Sequence, residues 1–167
     1  MSVSIRAYRP TDHAVCRGLW AELTELRRDL YDDPEIGGPD PGAGFEEYLT
    51  RLDLSGMWVA EHSEDGVVGL VGLILNGRAG EVYPVVVTQR HRSKGIGTAL
   101  LKHIAEQARG RGLKQLMVVP DSRNLTAIKV LHSAGFDTLA SVRLTLDLTG
   151  TPRESDEISL YDLQFRY

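Results

Sequence analysis

The stretch from Val85 to Leu101 constrains the fold of this chain more than any other. Val85-Val86-Val87 is a β-branched run suited to a pleated, half-buried strand. Thr88-Gln89-Arg90-His91-Arg92-Ser93-Lys94 then forms a basic turn, and Gly95-Ile96-Gly97-Thr98 opens a segment in which Ile96, Leu100, Leu101, Ile104 and Ala108 recur at helical spacing. A strand must therefore turn sharply into a helix. The first N–H groups of that helix lack intrahelical acceptors, the macrodipole makes this end partly positive, and the glycines leave the backbone accessible. Arg90, Arg92 and Lys94 add full positive charges in a chain of net charge −4. The pattern suits an anion, although an ordinary strand-to-helix connection with solvated cations satisfies it as well.

The neighbouring segments extend this unit. The helix should end near Gly110 or Gly112, and Leu113 to Val119 reads as a largely buried strand. A crossover helix makes that strand parallel to the one before it, with the glycine turn at the ligand-binding end of a βαβ unit. Upstream, Met57–His62 and Val67–Leu75 flank a hairpin turn at Glu64-Asp65-Gly66, and Asn76 to Gly80 turns into Glu81–Val87, giving an antiparallel meander. Pro84 interrupts the last of these strands, which should be unpaired there on one side.

At the N-terminal end, Val3–Tyr8 alternates as a strand closed by Pro10. Thr11 or Asp12 caps a helix carrying Val15, Leu19, Leu23, Leu26 and Leu30 on one face, with Trp20 at its edge. Asp32 to Gly42 is a breaker-rich loop, followed by a short helix bearing Phe45, Tyr48, Leu49 and Leu52. Beyond Val119, Asn124–Phe136 reads as a capped helix stopped by Gly135. Leu139 to Leu148 and Ile158 to Tyr167 alternate and should pair across a loop around Gly150, Pro152 and Glu154. The expectation is an α/β fold: one domain over residues 1–167, a mixed, largely antiparallel sheet of about seven strands, and about four flanking helices.

Composition sets limits. A chain of 167 residues, 42% hydrophobic, buries a real core but has no room for a second full domain. No apolar run approaches the roughly 20 residues that cross a bilayer, and the first residues lack a signal-peptide pattern, so a cytoplasmic location is expected. The mildly acidic balance argues against nucleic acid as the main partner. Cys16 has no disulfide partner and lies among apolar helix positions, as a core residue would. His13, His62, His91 and His103 show no metal-ligand spacing, so no metal is expected. From Asp29 to Glu47 every charged residue is acidic, which fits either a solvated loop or a rim that attracts a cation.

Two motifs together point further. Arg92-Ser93-Lys94-Gly95-Ile96-Gly97 leads from strand to helix, and Asn124, Ala127, Gly135 and Phe136 recur at set spacing in the later helix. With these the chain resembles the general amine N-acetyltransferase superfamily, over about Glu81 to Phe136 by motif and beyond that by element order. The resemblance implies a fourth and a fifth strand that splay apart and acetyl-coenzyme A as co-substrate without a metal. The pyrophosphate would rest on the amides of Ser93, Lys94, Gly95, Ile96, Gly97 and Thr98, assisted by Arg92 and Lys94, and Asn124 would bond the cofactor farther along. The pantetheine arm would pair with the backbone of Val85 and Val87, the Val85 N–H serving the thioester oxygen. The resemblance also allows a homodimer.

An alkylamine with a pKa near 10 is about 99.9% protonated at neutral pH and must lose a proton before it attacks. Glu81, eleven residues before Arg92, stands where one branch of the superfamily places a base, and it is equally a charged residue opening a strand. Tyr83 shares its face by alternation, able to hold a water or line the acceptor pocket. Many members carry a tyrosine as general acid where this chain has Leu131, which cannot donate a proton; His132 lies about 100° around the helix. The acidic loop favours a small cationic acceptor, with a peptide amine or a non-catalytic acyl-coenzyme A sensor as alternatives. A nucleoside triphosphate is disfavoured, since no Gly-Lys-Ser/Thr ending follows the turn.

Overall fold

The computed structural model describes residues 2–151 and 154–167. Five strands form the main sheet in sequence order: β1 (Val3–Ala7), β2 (Leu54–His62), β3 (Gly66–Asn76), β4 (Ala79–Val87) and β5 (Gln115–Met117). The first four pair antiparallel, and β5 joins β4 in parallel, as a crossover connection requires. The helices are α1 (His13–Tyr31), α2 (Gly44–Leu49), α3 (Ile96–Gly110) and α4 (Leu125–Ser133). None among the described residues is long and apolar enough to cross a membrane.

The sheet is covered on both faces, which explains the long apolar runs in its central strands. On one face Cys16, Leu19 and Trp20 of α1 and Phe45 and Tyr48 of α2 pack against Val59, Leu70, Ile74 and Val86. On the other, Ile96, Leu100, Leu101 and Ile104 of α3 pack with Leu131 of α4 against Trp58, Val68, Val71, Leu73 and Val82. Neighbouring residues such as Leu70 and Val71 thus serve opposite cores, as strand alternation dictates.

Three sequence expectations change. The buried face of α1 is centred on Cys16, Leu19, Trp20 and Thr24, so Trp20 lies in the core, not at its edge, while Val15 is 40% exposed. Periodicity located the helix but placed its inner face about one position off. The fifth strand is Gln115–Met117 only, shorter than the expected Leu113 to Val119. The largest change is C-terminal. The residues from Leu139 to Leu148 form no strand, and Leu139, Val142, Leu144, Leu146 and Leu148 are exposed. The hairpin instead joins β6 (Glu157–Leu160) to β7 (Leu163–Arg166) through Tyr161 and Asp162, both at positive φ as the tight two-residue hairpin turn demands. Seven strands are present among the described residues, divided into sheets of five and two. Alternation specifies a strand only where a ladder can receive it, and β5 pairs with β4 for three residues alone. Pro152, expected in the connecting loop, lies outside the described residues.

Candidate functional site

The site is built around an irregularity in β4. Leu73 pairs with Val82 and Val71 with Val85, so three steps along β4 match two along β3. The extra residue is a β-bulge at Tyr83-Pro84, a position where proline's missing N–H is tolerated. Gly72 opposes it. A Cβ there would stand 1.8 Å from the Tyr48 hydroxyl oxygen and 2.5 Å from the Tyr83 carbonyl oxygen. Only glycine leaves room for the buried Tyr48 to donate its O–H to Tyr83 O, at 2.5 Å. Burial pushes the Tyr48 hydroxyl pKa upward, keeping it a donor. The bulge also reverses the facing of β4. Tyr83 packs on the α1–α2 core, whereas Val85 and Val87 pack toward α3.

Beyond the bulge β4 loses its other neighbour. Pairing with β5 ends at Glu81↔Met117, and no further partners exist on that side among the described residues. Thr88 N donates to Val68 O at 2.9 Å. Strand alternation then directs the polar backbone of Val86 toward β3 and that of Val85 and Val87 toward the gap. This is the splaying expected of the fourth and fifth strands.

The gap leads to the N-terminus of α3. Ser93 and Gly95 adopt φ of 61° and 81°, and Gly95 serves as N-cap without a side-chain cap bond. Ala99 N reaches Gly95 O, while the amides of Ile96, Gly97 and Thr98 meet no acceptor among the described residues. A Cβ at Gly95 would meet nothing within 4 Å, and one at Gly97 only Val87 Cγ2 at 3.9 Å. Unfilled amides facing open space are what an anionic ligand needs. Ser93 and Lys94 are exposed beside them. Arg92 is differently placed: its Nε donates to Val87 O at 3.0 Å and its Nη2 lies 3.6 Å from Glu22. It holds the turn against β4 instead of extending freely. Asn124 caps α4, its Oδ1 accepting from Ala127 N at 3.1 Å, which leaves the side-chain NH₂ as its donor.

The α1 side of the gap is made of side chains. Glu81 is partly buried, has no ion-pair partner among the described residues, and acts electrostatically on Tyr48, Tyr83 and Arg51. Tyr83 packs edge-on against Trp20 and Tyr48. Burial raises its hydroxyl pKa, with Arg27 opposing and Asp121 reinforcing the shift. Asp121 binds Arg27 at 3.1 Å and accepts from the Tyr31 hydroxyl at 3.5 Å. Tyr31 in turn lines a recess of about 620 Å³ with Asp32, Asp33, Arg123 and Glu154. Arg123 stacks 5.1 Å from the Tyr31 ring and donates to Leu30 O, so three carboxylates face one engaged guanidinium. Elsewhere in the acidic loop, Asp40 and Glu46 both pair with Arg17.

The remaining candidates separate cleanly. Leu131 is 6% exposed and belongs to the α3 core, and His132 is exposed on α4. Cys16 is fully buried, its thiol pKa pushed up to about 12 chiefly by burial, so it is a packing residue. Sequence reasoning missed Tyr48 as the bulge clamp. It also missed Glu22, which accepts from Thr88 Oγ1 at 2.7 Å and Gln89 N at 2.9 Å and so ties α1 to the end of β4. A signal existed for Glu22, an acid flanking the apolar stripe of α1. None existed for the meeting of His62, Asp65 and His91, which the fold brings together although their spacing suggests nothing.

Comparison with known proteins agrees with this fold. Residues 20–136 match the model of the acetyltransferase (GNAT) family. Mycothiol acetyltransferase of Thermobispora bispora is 39% identical over 137 residues, covering 81% of this chain and 41% of the relative. Human N-acetyltransferase 8 is 32% identical over 97 residues, covering 54% of this chain and 42% of the relative. The chain thus spans about two-fifths of the length of these relatives. A Trypanosoma brucei acetyltransferase structure superposes with a TM-score of 0.63 at 22% identity, covering 88% of this chain and 100% of that one.

Proposed function

Because this chain belongs to the acetyltransferase (GNAT) family, we propose that it transfers an acetyl group from acetyl-coenzyme A to the primary amine of a small cationic acceptor. The observation that carries this reading is the continuity of the β4–β5 gap with the unfilled amides of Ile96, Gly97 and Thr98. Acetyl-coenzyme A supplies an activated acyl thioester. Ser93 to Thr98 and Lys94 bind its pyrophosphate, and the side-chain NH₂ of Asn124 donates to it farther along. Val85 and Val87 offer backbone groups to its extended arm, and the Val85 N–H stabilises charge developing on the thioester oxygen. Arg92 contributes by holding the turn, through Val87 O and Glu22.

On the acceptor side, Glu81 takes the proton that the ammonium group must lose, and Tyr83 lines its path. The free carboxylate of Glu81 and its position at the last β4–β5 pair support this role. Asp32, Asp33 and Glu154 draw a cation into the recess, which Tyr31 and Asp121 connect to Tyr83. A coenzyme A thiolate, with a pKa near that of cysteine, leaves without a dedicated acid, consistent with Leu131 in the core.

Release of free thiol from acetyl-coenzyme A across a panel of polyamines, aminoglycosides, amino acids and peptides tests the proposal. Turnover highest with small polycations is expected. Turnover confined to peptide amines would overturn the acceptor assignment, and none with any amine would favour a binding role without catalysis.

A further inference from the structure

We propose that His62, Asp65 and His91 form a zinc site that clips the β2–β3 hairpin to the turn preceding α3. His62 ends β2, Asp65 lies in the hairpin turn, and His91 closes the short helical turn Gln89–His91. One donor atom from each lies within 4.8 Å of the other two. Asp65 Oδ2 is 2.9 Å from His91 Nε2 and 3.4 Å from His62 Nδ1. Zinc holds nitrogen and oxygen ligands at about 2.0–2.2 Å, which at tetrahedral angles separates the donors by roughly 3.4 Å. Small side-chain rotations therefore bring these three groups to coordinating distance.

Burial supports the assignment. His62 and His91 are only 7% and 6% exposed, their rings 4.9 Å apart. Two buried imidazole nitrogens, His62 Nδ1 and His91 Nε2, converge on a single carboxylate oxygen. A cation among them would accept a lone pair from each of these two nitrogens and from the carboxylate. The hydrogen bonds at His62 are long. His62 Nδ1 meets the amides of Glu64 and Asp65 at 3.3 Å each, and zinc would take the place of the His91 Nε2 proton that faces Asp65. Two imidazoles and one carboxylate, without thiolate, suit zinc, cobalt or nickel, whereas calcium and magnesium require oxygen donors.

The surroundings fit a site with three protein ligands. Ser63, Glu64 and Asp65 are exposed, leaving a solvent path to the fourth position. The scaffold is held by the pairing of His62 with Val3 and Gly66 and by the bond from Ser63 N to Ser2 O at 3.1 Å. His91 adjoins Arg92, so the metal would stiffen the turn carrying the unfilled amides.

The test uses the tag-free 167-residue chain after chelation and dialysis, titrated calorimetrically with zinc chloride and by visible absorption with cobalt chloride. One zinc per chain and cobalt bands of a tetrahedral N/O site are expected. His62→Gln and Asp65→Asn should each weaken binding at least about 10-fold, the size that even outer-sphere partners contribute, while His132→Gln leaves it unchanged. Asp65→Asn alters an exposed turn residue, so it carries the test should the buried variant fail to fold. Zinc should raise the Tm of the parent more than that of Asp65→Asn. Absence of stoichiometric binding, or binding undiminished in Asp65→Asn, overturns the proposal.

Discussion

The two walls of the β4–β5 gap are made of different material. The α3 wall is backbone: amides at a helix N-terminus, strand groups of Val85 and Val87, and glycines chosen for what they omit. The α1 wall is side chains: Glu81, Tyr83 and Tyr48, then Asp121, Tyr31 and the carboxylates of the recess. Backbone geometry is set by secondary structure and tolerates change at most side chains, so this wall suits a group common to many reactions. A wall of side chains is rewritten one substitution at a time and suits the group that varies.

Substitutions should separate the walls, the largest effect coming from the backbone side. Gly97→Glu should weaken acetyl-coenzyme A on the order of 1,000-fold by calorimetry, since it sets a carboxylate where the proposal seats the pyrophosphate. Gly97→Ala should leave folding intact, because a Cβ there meets only Val87 at 3.9 Å. On the other wall Glu81→Gln should lower kcat by roughly 100-fold, the usual worth of a general base, with acetyl-coenzyme A affinity unchanged. A parent-like rate and pH profile would remove Glu81 as the base.

Gly72→Ala tests the clamp between the walls. Its methyl would collide with both the Tyr48 hydroxyl and the Tyr83 carbonyl, so chemical denaturation should show a loss of roughly 2–4 kcal/mol. Tyr48→Phe should cost about 1–2 kcal/mol by leaving Tyr83 O unpartnered. Asp32→Asn with Asp33→Asn should raise KM for a polycationic amine about 5-fold and leave KM for acetyl-coenzyme A unaltered.

The smallest effect lies away from both walls. Arg6, bonded to Asp12 at 2.8 Å and 3.0 Å, holds that carboxyl below the usual carboxylate range. A carboxyl whose folded pKa is depressed contributes stability that is present above its ordinary value and lost as pH falls through the lower one. Asp12→Asn should therefore flatten the acid limb of the stability profile without changing either substrate's KM.

This division also explains what the sequence could reveal. The α3 wall was legible because glycines and a strand-to-helix transition leave a local pattern, from Val85 through Thr98. Pro84 likewise signalled a break in the ladder, and the break is there. The α1 wall was legible only in part, as Glu81 and Tyr83 on the strand and as acidity between Asp29 and Glu47. Which acids remain free depends on Arg17, distant in sequence, pairing with Asp40 and Glu46. In the sequence Tyr48 is one apolar helix position among several, since its hydroxyl finds Tyr83 only through the opening at Gly72. The alternation from Leu139 to Leu148 misled for a related reason: it describes a strand's side chains but not the presence of an edge to receive them.

Amide hydrogen exchange with and without acetyl-coenzyme A tests the central claim most directly, because that claim concerns backbone groups. Protection on binding should concentrate in Ser93 to Thr98 and in Val85 and Val87, with the recess around Asp32 and Asp33 unaffected until an amine acceptor is added. Protection absent from residues 93–98, or first appearing in the recess, would contradict it.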